Sequence, residues 1–276
     1  MFTVLFATIG SFIEEISGSI IKFETVHKKE SIYTAAFINL CFAVIVFTVL
    51  ALVRDSFVFA AASLPTFIPR VLLEIVQLQV TMWAIMKADR STYAFVRNLT
   101  IPVLLMVDLF LGFSVGLWQW FGIGVILLVV VIALTKHIIK TGGIGFALFT
   151  ALNAVITISL FKYNVTNFNS VEGEQIVVTL ILLVYFFFAS LLVARENPFK
   201  FLVHKIFLGQ GASHGVASAL EAFAISLGNP SIAMAAKRAA AVLAGIISGR
   251  HYFFETHFMI KIVMGLALAG GLVLLV

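Results

Sequence analysis

Apolar runs of roughly twenty residues, separated by short polar steps, repeat from one end of the chain to the other. Hydropathy places candidate spans at 2–21, 33–53, 67–86, 91–112, 118–135, 143–161, 174–194, 206–226, 230–249 and 257–275. The breaks read as helix punctuation. In "KADRST" (87–92) Asp89 or Ser91 can cap the fourth span, and in "LGNPSI" (227–232) Asn229 before Pro230 reads as an N-cap followed by proline at the first helical position. The first span carries Glu14 and Glu15 and no basic residue precedes it, so it reads as a retained helix rather than a cleaved leader.

Composition fixes the solvent in which this pattern makes sense. With 62% hydrophobic residues, 11% charged and a mean hydropathy of +1.12, the chain has too little polar surface to cover a soluble domain. The prediction is an all-α membrane protein of ten transmembrane helices, with no length left in 276 residues for a separate soluble domain. The single cysteine, Cys41, lies in an apolar stretch, which leaves neither a disulfide framework nor a cysteine zinc site. No GxxxxGK[ST] run is present, so solute or ion gradients rather than ATP are the expected energy source, and no cofactor or metal is expected.

The two polar breaks lie about 140 residues apart, and other positions match at that offset. Lys22-Phe23 corresponds to Lys162-Tyr163, Glu74 to His214, Ser91 to Ser231 and Arg97 to Lys237; Arg54-Asp55 and Arg195-Glu196 match at 141. The chain therefore reads as two five-helix repeats, 1–140 and 141–276. Because five is odd, the second enters the membrane in the opposite sense, and a site is expected near the midplane between the halves.

Basic residues set the expected orientation. Twelve of the eighteen, Lys22, Lys28, Lys29, Lys87, Arg90, Lys136, Lys140, Arg195, Lys200, Lys205, Arg250 and Lys261, fall in alternate connections on one side; Arg54, Arg70 and Lys162 fall on the other. The positive-inside rule then puts both termini outside a multi-pass cell (inner) membrane protein. The net charge of +5 is read as a topology signal with attraction to anionic head groups, and nucleic acid is not an expected partner.

The remaining cations, Arg97, Lys237 and Arg238, sit inside spans, where each costs roughly 2.5 to 3.5 kcal/mol unless it meets a partner, a solute or water. Ala233, Ala240, Ala241 and Ala244 surround the Lys-Arg pair and permit close approach. On the first span Glu14 and Glu15 lie among Gly10, Ser11, Ser17 and Gly18, too deep to reach bulk water easily, and either could bind a proton or pair with the buried cations. Arg70, Glu74, Gln77 and Thr81 form a polar stripe on the third span; His214, Ser218 and Glu221 form another on the eighth. Arg97 shares a face with Asp108, with Pro102 between them expected to kink the helix. Asn153 reads as inter-helix glue.

Ten short helices in two inverted halves, "STYAFVRNLTIPVLL", "NPSIAMAAKRAAAVLAGIISG" and the trailing "YFFE" (252–255) together resemble the EamA-like family of the drug/metabolite transporter superfamily. The resemblance spans essentially the whole chain and implies alternating access around a central cavity. Lys237 and Arg238 are also similar to the Lys-Arg pair with which plastidic phosphate translocators bind substrate phosphate. Glu14 or Glu15, followed by small residues, resembles the membrane glutamate of small multidrug resistance proteins, which binds a proton or a cationic drug. Two features depart from family habit: Gly112 is followed by Phe113 rather than glutamate, and the charge count puts the termini outside rather than inside.

The expected function is a secondary transporter of a small polar or amphipathic metabolite, with proton coupling as one option and a monomer or weak homodimer as the working unit. Lys237, Arg238, Arg97, Glu74, His214 and Glu221 are the expected substrate contacts, and Glu14 and Glu15 the charge-managing acids. A flippase for a lipid-linked anion and a lipid-modifying membrane enzyme are the alternatives; the second lacks any obvious nucleophile or paired metal ligands.

Overall fold

In a computed structural model the chain is helical, with no strand among the described residues, 2–27, 29–110, 116–136, 138, 140–228 and 230–274. The expected cap at Asn229, the Gly112-Phe113 step and the side chain of Asp108 lie outside that description. In chain order the helices are α1 (Phe2–Val26), α2 (Ile32–Arg54), α3 (Leu64–Lys87), α4 (Arg90–Arg97), α5 (Thr100–Phe110), α6 (Leu117–Thr135), α7 (Ile144–Asn167), α8 (Val171–Ala189), α9 (Lys205–Leu227), α10 (Pro230–Phe253) and α11 (Phe258–Val273). Among the described residues six helical segments are long and apolar enough to cross a membrane: α1, α2, 61–87, α7, 171–194 and α10. Shorter apolar stretches occupy Trp120–Thr135 and α11. With 23 residues α9 is long enough, but Gln210, His214 and Glu221 lower its hydropathy. The chain is a multi-pass membrane protein.

The fourth expected span is two helices. Pro102 has no N–H to give Asn98, four residues earlier, and its ring crowds that carbonyl, so the helix stops at Arg97 and restarts at Thr100. Asn98 stitches the break by donating its side-chain amide to the carbonyls of Ala94 (2.8 Å) and Phe95 (3.3 Å). The expected side-chain cap of α4 is not made. Asp89 occupies the N-cap position without a side-chain cap bond and pairs with Lys140 at 3.3 Å, while the Ser91 hydroxyl donates to Glu255. A charged partner within reach outcompetes the weaker bond to a backbone amide.

Helix ends are tied by charges elsewhere. Near the end of α1, Lys22 Nζ donates to the Ala88 carbonyl at the C-terminus of α3 (2.6 Å); near the end of α7, Lys162 Nζ donates to the carbonyls of Ile225, Ser226 and Gly228 at the C-terminus of α9. Each lysine satisfies carbonyls that the helix cannot bond internally. α2 and α8 run antiparallel and secure each other at both ends. Arg54 Nη1 meets Glu172 at 2.6 Å, and at the opposite end Glu196 accepts from Thr34 Oγ1 (2.6 Å) and the Ser31 amide (3.1 Å).

α1 packs on α9 and α10, α7 packs on α3 and α4, α2 pairs with α8, and α6 pairs with α11. The close α2–α9 contact depends on Gly215, where a Cβ would come 2.8 Å from the Phe42 carbonyl oxygen. One apolar cluster lies between α2, α3 and α8; another joins α4, α5, α6, α10 and α11. The polar faces of α1, α3, α9 and α10 are left facing one another between them.

Candidate functional site

α10 delivers Lys237 and Arg238 to the centre of the molecule with different surroundings. The Lys237 ammonium is 2.8 Å from Glu14 Oε2 and also pairs with Glu221, so one cation bridges acids from α1 and α9. Its backbone is pinned as well, since Ser11 Oγ donates to the Lys237 carbonyl at 3.0 Å. Arg238 is 2% exposed, and its Nε and Nη2 have no hydrogen-bond partner. A buried guanidinium with free N–H groups is costly and is rarely left so without a function.

Both side chains line a cavity of about 230 Å³ that also takes in Glu14, Glu74, Arg97, His214 and Glu221. Thus seven of the eight site residues expected from the sequence share one cavity. Arg97 sits over the Tyr93 ring at 5.1 Å and donates from Nη1 to its hydroxyl (2.7 Å); its Nε is buried without a partner. His214 Nε2 lies 3.2 Å from Ser218 Oγ one turn along α9. The stripe on α3 is divided. Arg70 meets Glu74 at 3.7 Å but is held more closely by Glu174 at 2.5 Å, over the face of Phe161. Gln77 donates to the Thr150 carbonyl and accepts from Asn153, which also bonds the Leu73 carbonyl, so Asn153 is the inter-helix glue it was expected to be.

No family model and no curated protein matches the chain. What the site can do is therefore argued from its own geometry.

Glu15 stands apart from the other seven. Arg90 grips it through two bonds, Nε to Oε1 at 2.9 Å and Nη2 to Oε2 at 2.7 Å, while Ser248 donates to Oε1 at 2.5 Å and Ser19 at 3.2 Å. Gly18 makes room for this, because a Cβ there would collide with the Arg90 guanidinium. Glu255 continues the cluster by accepting from the Arg90 amide (2.7 Å), Ser91 and Lys261 (3.0 Å). Glu255 lies between α10 and α11; burial pushes its carboxyl up, but the hydrogen bonds from Ser91 and Lys261 and the Lys261 charge together outweigh it and hold the group below the usual carboxylate range. These groups join α1, α4, α10 and α11 at the end of the molecule where the basic connections gather. A smaller cavity of about 110 Å³ reaches from Glu14 and Lys237 to Arg90 and Glu15.

Glu174 went unnoticed in the sequence, where Arg90 counts only as a cation of a connection and Glu255 only as the end of "YFFE", because all three lie near polar breaks, where charges are expected to meet water. A 104-residue separation between Arg70 and Glu174, or 75 between Arg90 and Glu15, leaves no local signal of pairing.

Proposed function

We propose that the protein is a secondary transporter in which Arg238, with Arg97, receives an anionic group of a small polar or amphipathic solute. One observation carries the reading: a buried arginine with unpartnered nitrogens lining a central cavity, next to a lysine already bridged to two acids. Lys237 neutralises Glu14 and Glu221. An anion drawn to Arg238 competes for Lys237, and release of that bridge frees Glu14 or Glu221 for a proton or for a cationic part of the solute. Binding and charge movement are thus coupled through one ammonium group.

The interhelical contacts support an arrangement of ten spans in two inverted halves, counting α4 and α5 as one broken span. α1 on α9 and α10 has its counterpart in α7 on α3 and α4, and α2–α8 and α6–α11 pair across the two halves. Lys22 and Lys162, 140 positions apart, make the same bond to carbonyls that are themselves 140 positions apart, those of Ala88 and Gly228. Rocking of such halves gives alternating access to a site between them. The termini are then outside by the basic-residue count.

The test is a thermal-shift screen of anionic and zwitterionic metabolites on detergent-purified protein, followed by flux into liposomes. A ligand at about 100 times its Kd stabilises by about 2.7 kcal/mol, a readily measured rise in melting temperature. A metabolite that stabilises the parent, fails to stabilise Arg238→Met and Lys237→Met, and crosses the liposome membrane bears out the reading. Equal stabilisation of parent and variants, or no flux of any metabolite with folded, monodisperse protein, overturns it.

A further inference from the structure

A second cavity, of about 510 Å³, opens on the outer side of the α1–α10 contact. Its walls are Phe12, Ile16 and Phe23 from α1, Ile206 at the start of α9, and Ile247 and Tyr252 from α10, all of them exposed large side chains. α1 and α10 are both apolar and long enough to cross a membrane, so this groove faces hydrocarbon. From Phe12 to Phe23 the helix rises about 16 Å, close to half of a roughly 30 Å hydrocarbon core. The groove therefore has the depth of one leaflet.

Its floor is polar. Glu15, Ser19 and Ser248 line it, and Glu15 also borders the inner cavity that reaches Arg90, so this carboxylate is the partition between groove and interior. At the surface end the flanking exposed charges are basic: Lys205 precedes Ile206, and Arg250 and His251 precede Tyr252. A shallow hollow containing Arg250 and His251 adjoins the groove through the shared side chain of Ile247.

We propose that this groove binds one acyl chain of an anionic phospholipid, with the lipid phosphate at Arg250 and Lys205. The apolar walls match the chain, the one-leaflet depth matches its length, and the basic rim matches the head group. The end in question is the one rich in basic residues, which the positive-inside rule assigns to the anionic leaflet. Seated there, the chain lies against Ser248 and Glu15 and shields their bonds to one another and to Arg90. The site is separate from the central cavity and does not depend on what that cavity transports.

The test uses the full chain, delipidated in mild detergent and then given phosphatidylglycerol or phosphatidylcholine with the same acyl chains. Retained lipid is measured by mass spectrometry; binding is followed by quenching of a tryptophan placed in the groove, Ile247→Trp, with brominated forms of each lipid against the parent background. The expected result is roughly five-fold or greater preference for phosphatidylglycerol, from about 1 kcal/mol per basic residue near the surface. Ile16→Trp, which fills the groove, should release the lipid, and Lys205→Gln with Arg250→Gln should abolish the preference while quenching by the chains persists. Equal retention and quenching by the two lipids overturns the proposal, and so does undiminished retention in Ile16→Trp or a preference that survives loss of both basic residues. If Ile16→Trp does not fold, the quenching comparison decides alone. A concentration-dependent dimer that Ile16→Trp abolishes would assign the groove to a second copy of the chain and also overturn it.

Discussion

Two buried charge clusters lie on adjoining faces of the same helix α1, about 100° apart, and they are finished to different degrees. Around Glu15 both carboxylate oxygens are taken, by Arg90, Ser248 and Ser19, with Arg90 Nη1 left without a partner, and the neighbouring Glu255 carboxylate collects the Arg90 amide, Ser91 and Lys261. Around Glu14 the lysine is bridged to two acids, yet the adjacent Arg238 keeps two nitrogens without partners and Arg97 keeps one. The paired cations Lys237 and Arg90 are equally buried, so cation burial alone does not separate a structural cluster from a ligand site. The number of unpartnered donors does: the Glu15 network leaves one buried N–H group over and ties helices together, whereas the Glu14 network leaves three and has room for an acceptor from outside.

The comparison breaks first, and hardest, at Glu15. Glu15→Ala would leave the Arg90 guanidinium, whose side chain is only 5% exposed, without its counter-ion among α1, α4 and α10. Removing one member of a buried pair typically costs about 3–5 kcal/mol, so we expect a large fall in melting temperature or loss of folded protein. Thermal denaturation in detergent checks this, and a variant that melts with the parent would mean that the cluster holds nothing together.

Much of this molecule was legible in sequence because the membrane makes polar residues conspicuous. Lys237, Arg238, Arg97, Glu14, Glu74, His214 and Glu221 stood out against apolar runs, and the structure gathers them around one cavity. The offset that matched Lys22 with Lys162 found two residues that do the same job at the ends of α3 and α9. Partnership was not legible. Glu14 and Glu15 are neighbours in sequence, and it takes α10, packed on both α1 and α4, to bring Lys237 to one and the Arg90 of α4 to the other. Helix capping misled for a related reason, since Asp89 and Ser91 carry cap chemistry but meet Lys140 and Glu255 from distant segments first.

A third acid sharpens the distinction from outside the spans, with a smaller expected effect. Glu30, in the turn between α1 and α2, is 2% exposed; neither carboxyl oxygen has a well-formed hydrogen bond, and the nearby Gln210 side chain only partly offsets the burial. Burial, followed by the charges of Glu24 and Glu196, pushes its carboxyl up to about 9. The folded chain therefore holds a proton that the unfolded chain releases at the ordinary carboxylate value of 4.5, and stability falls as pH rises from that value toward about 9. Glu30→Gln keeps the neutral shape and removes the slope. Melting temperature should rise at pH 8, by the equivalent of about 1–3 kcal/mol, and change little at pH 5. Parallel pH profiles for parent and variant would show that this acid is not held protonated.

The smallest expected change in stability is at Arg238, and it is the most informative of the three. If the guanidinium were a structural latch, Arg238→Met would lower stability as Glu15→Ala does, because bonds would be lost. Here Nε and Nη2 have no bonds to lose, and a methionine of similar length removes the cost of burying a charge while filling most of the space. The variant should melt within about 1 kcal/mol of the parent, or above it. Lys237→Met, by contrast, leaves Glu14 and Glu221 facing each other without their shared cation and should melt below Arg238→Met. Thermal denaturation of the two variants side by side reads out this ordering. A reversal would place the missing acceptors within the protein and would move Arg238 from the ligand site to the structural cluster.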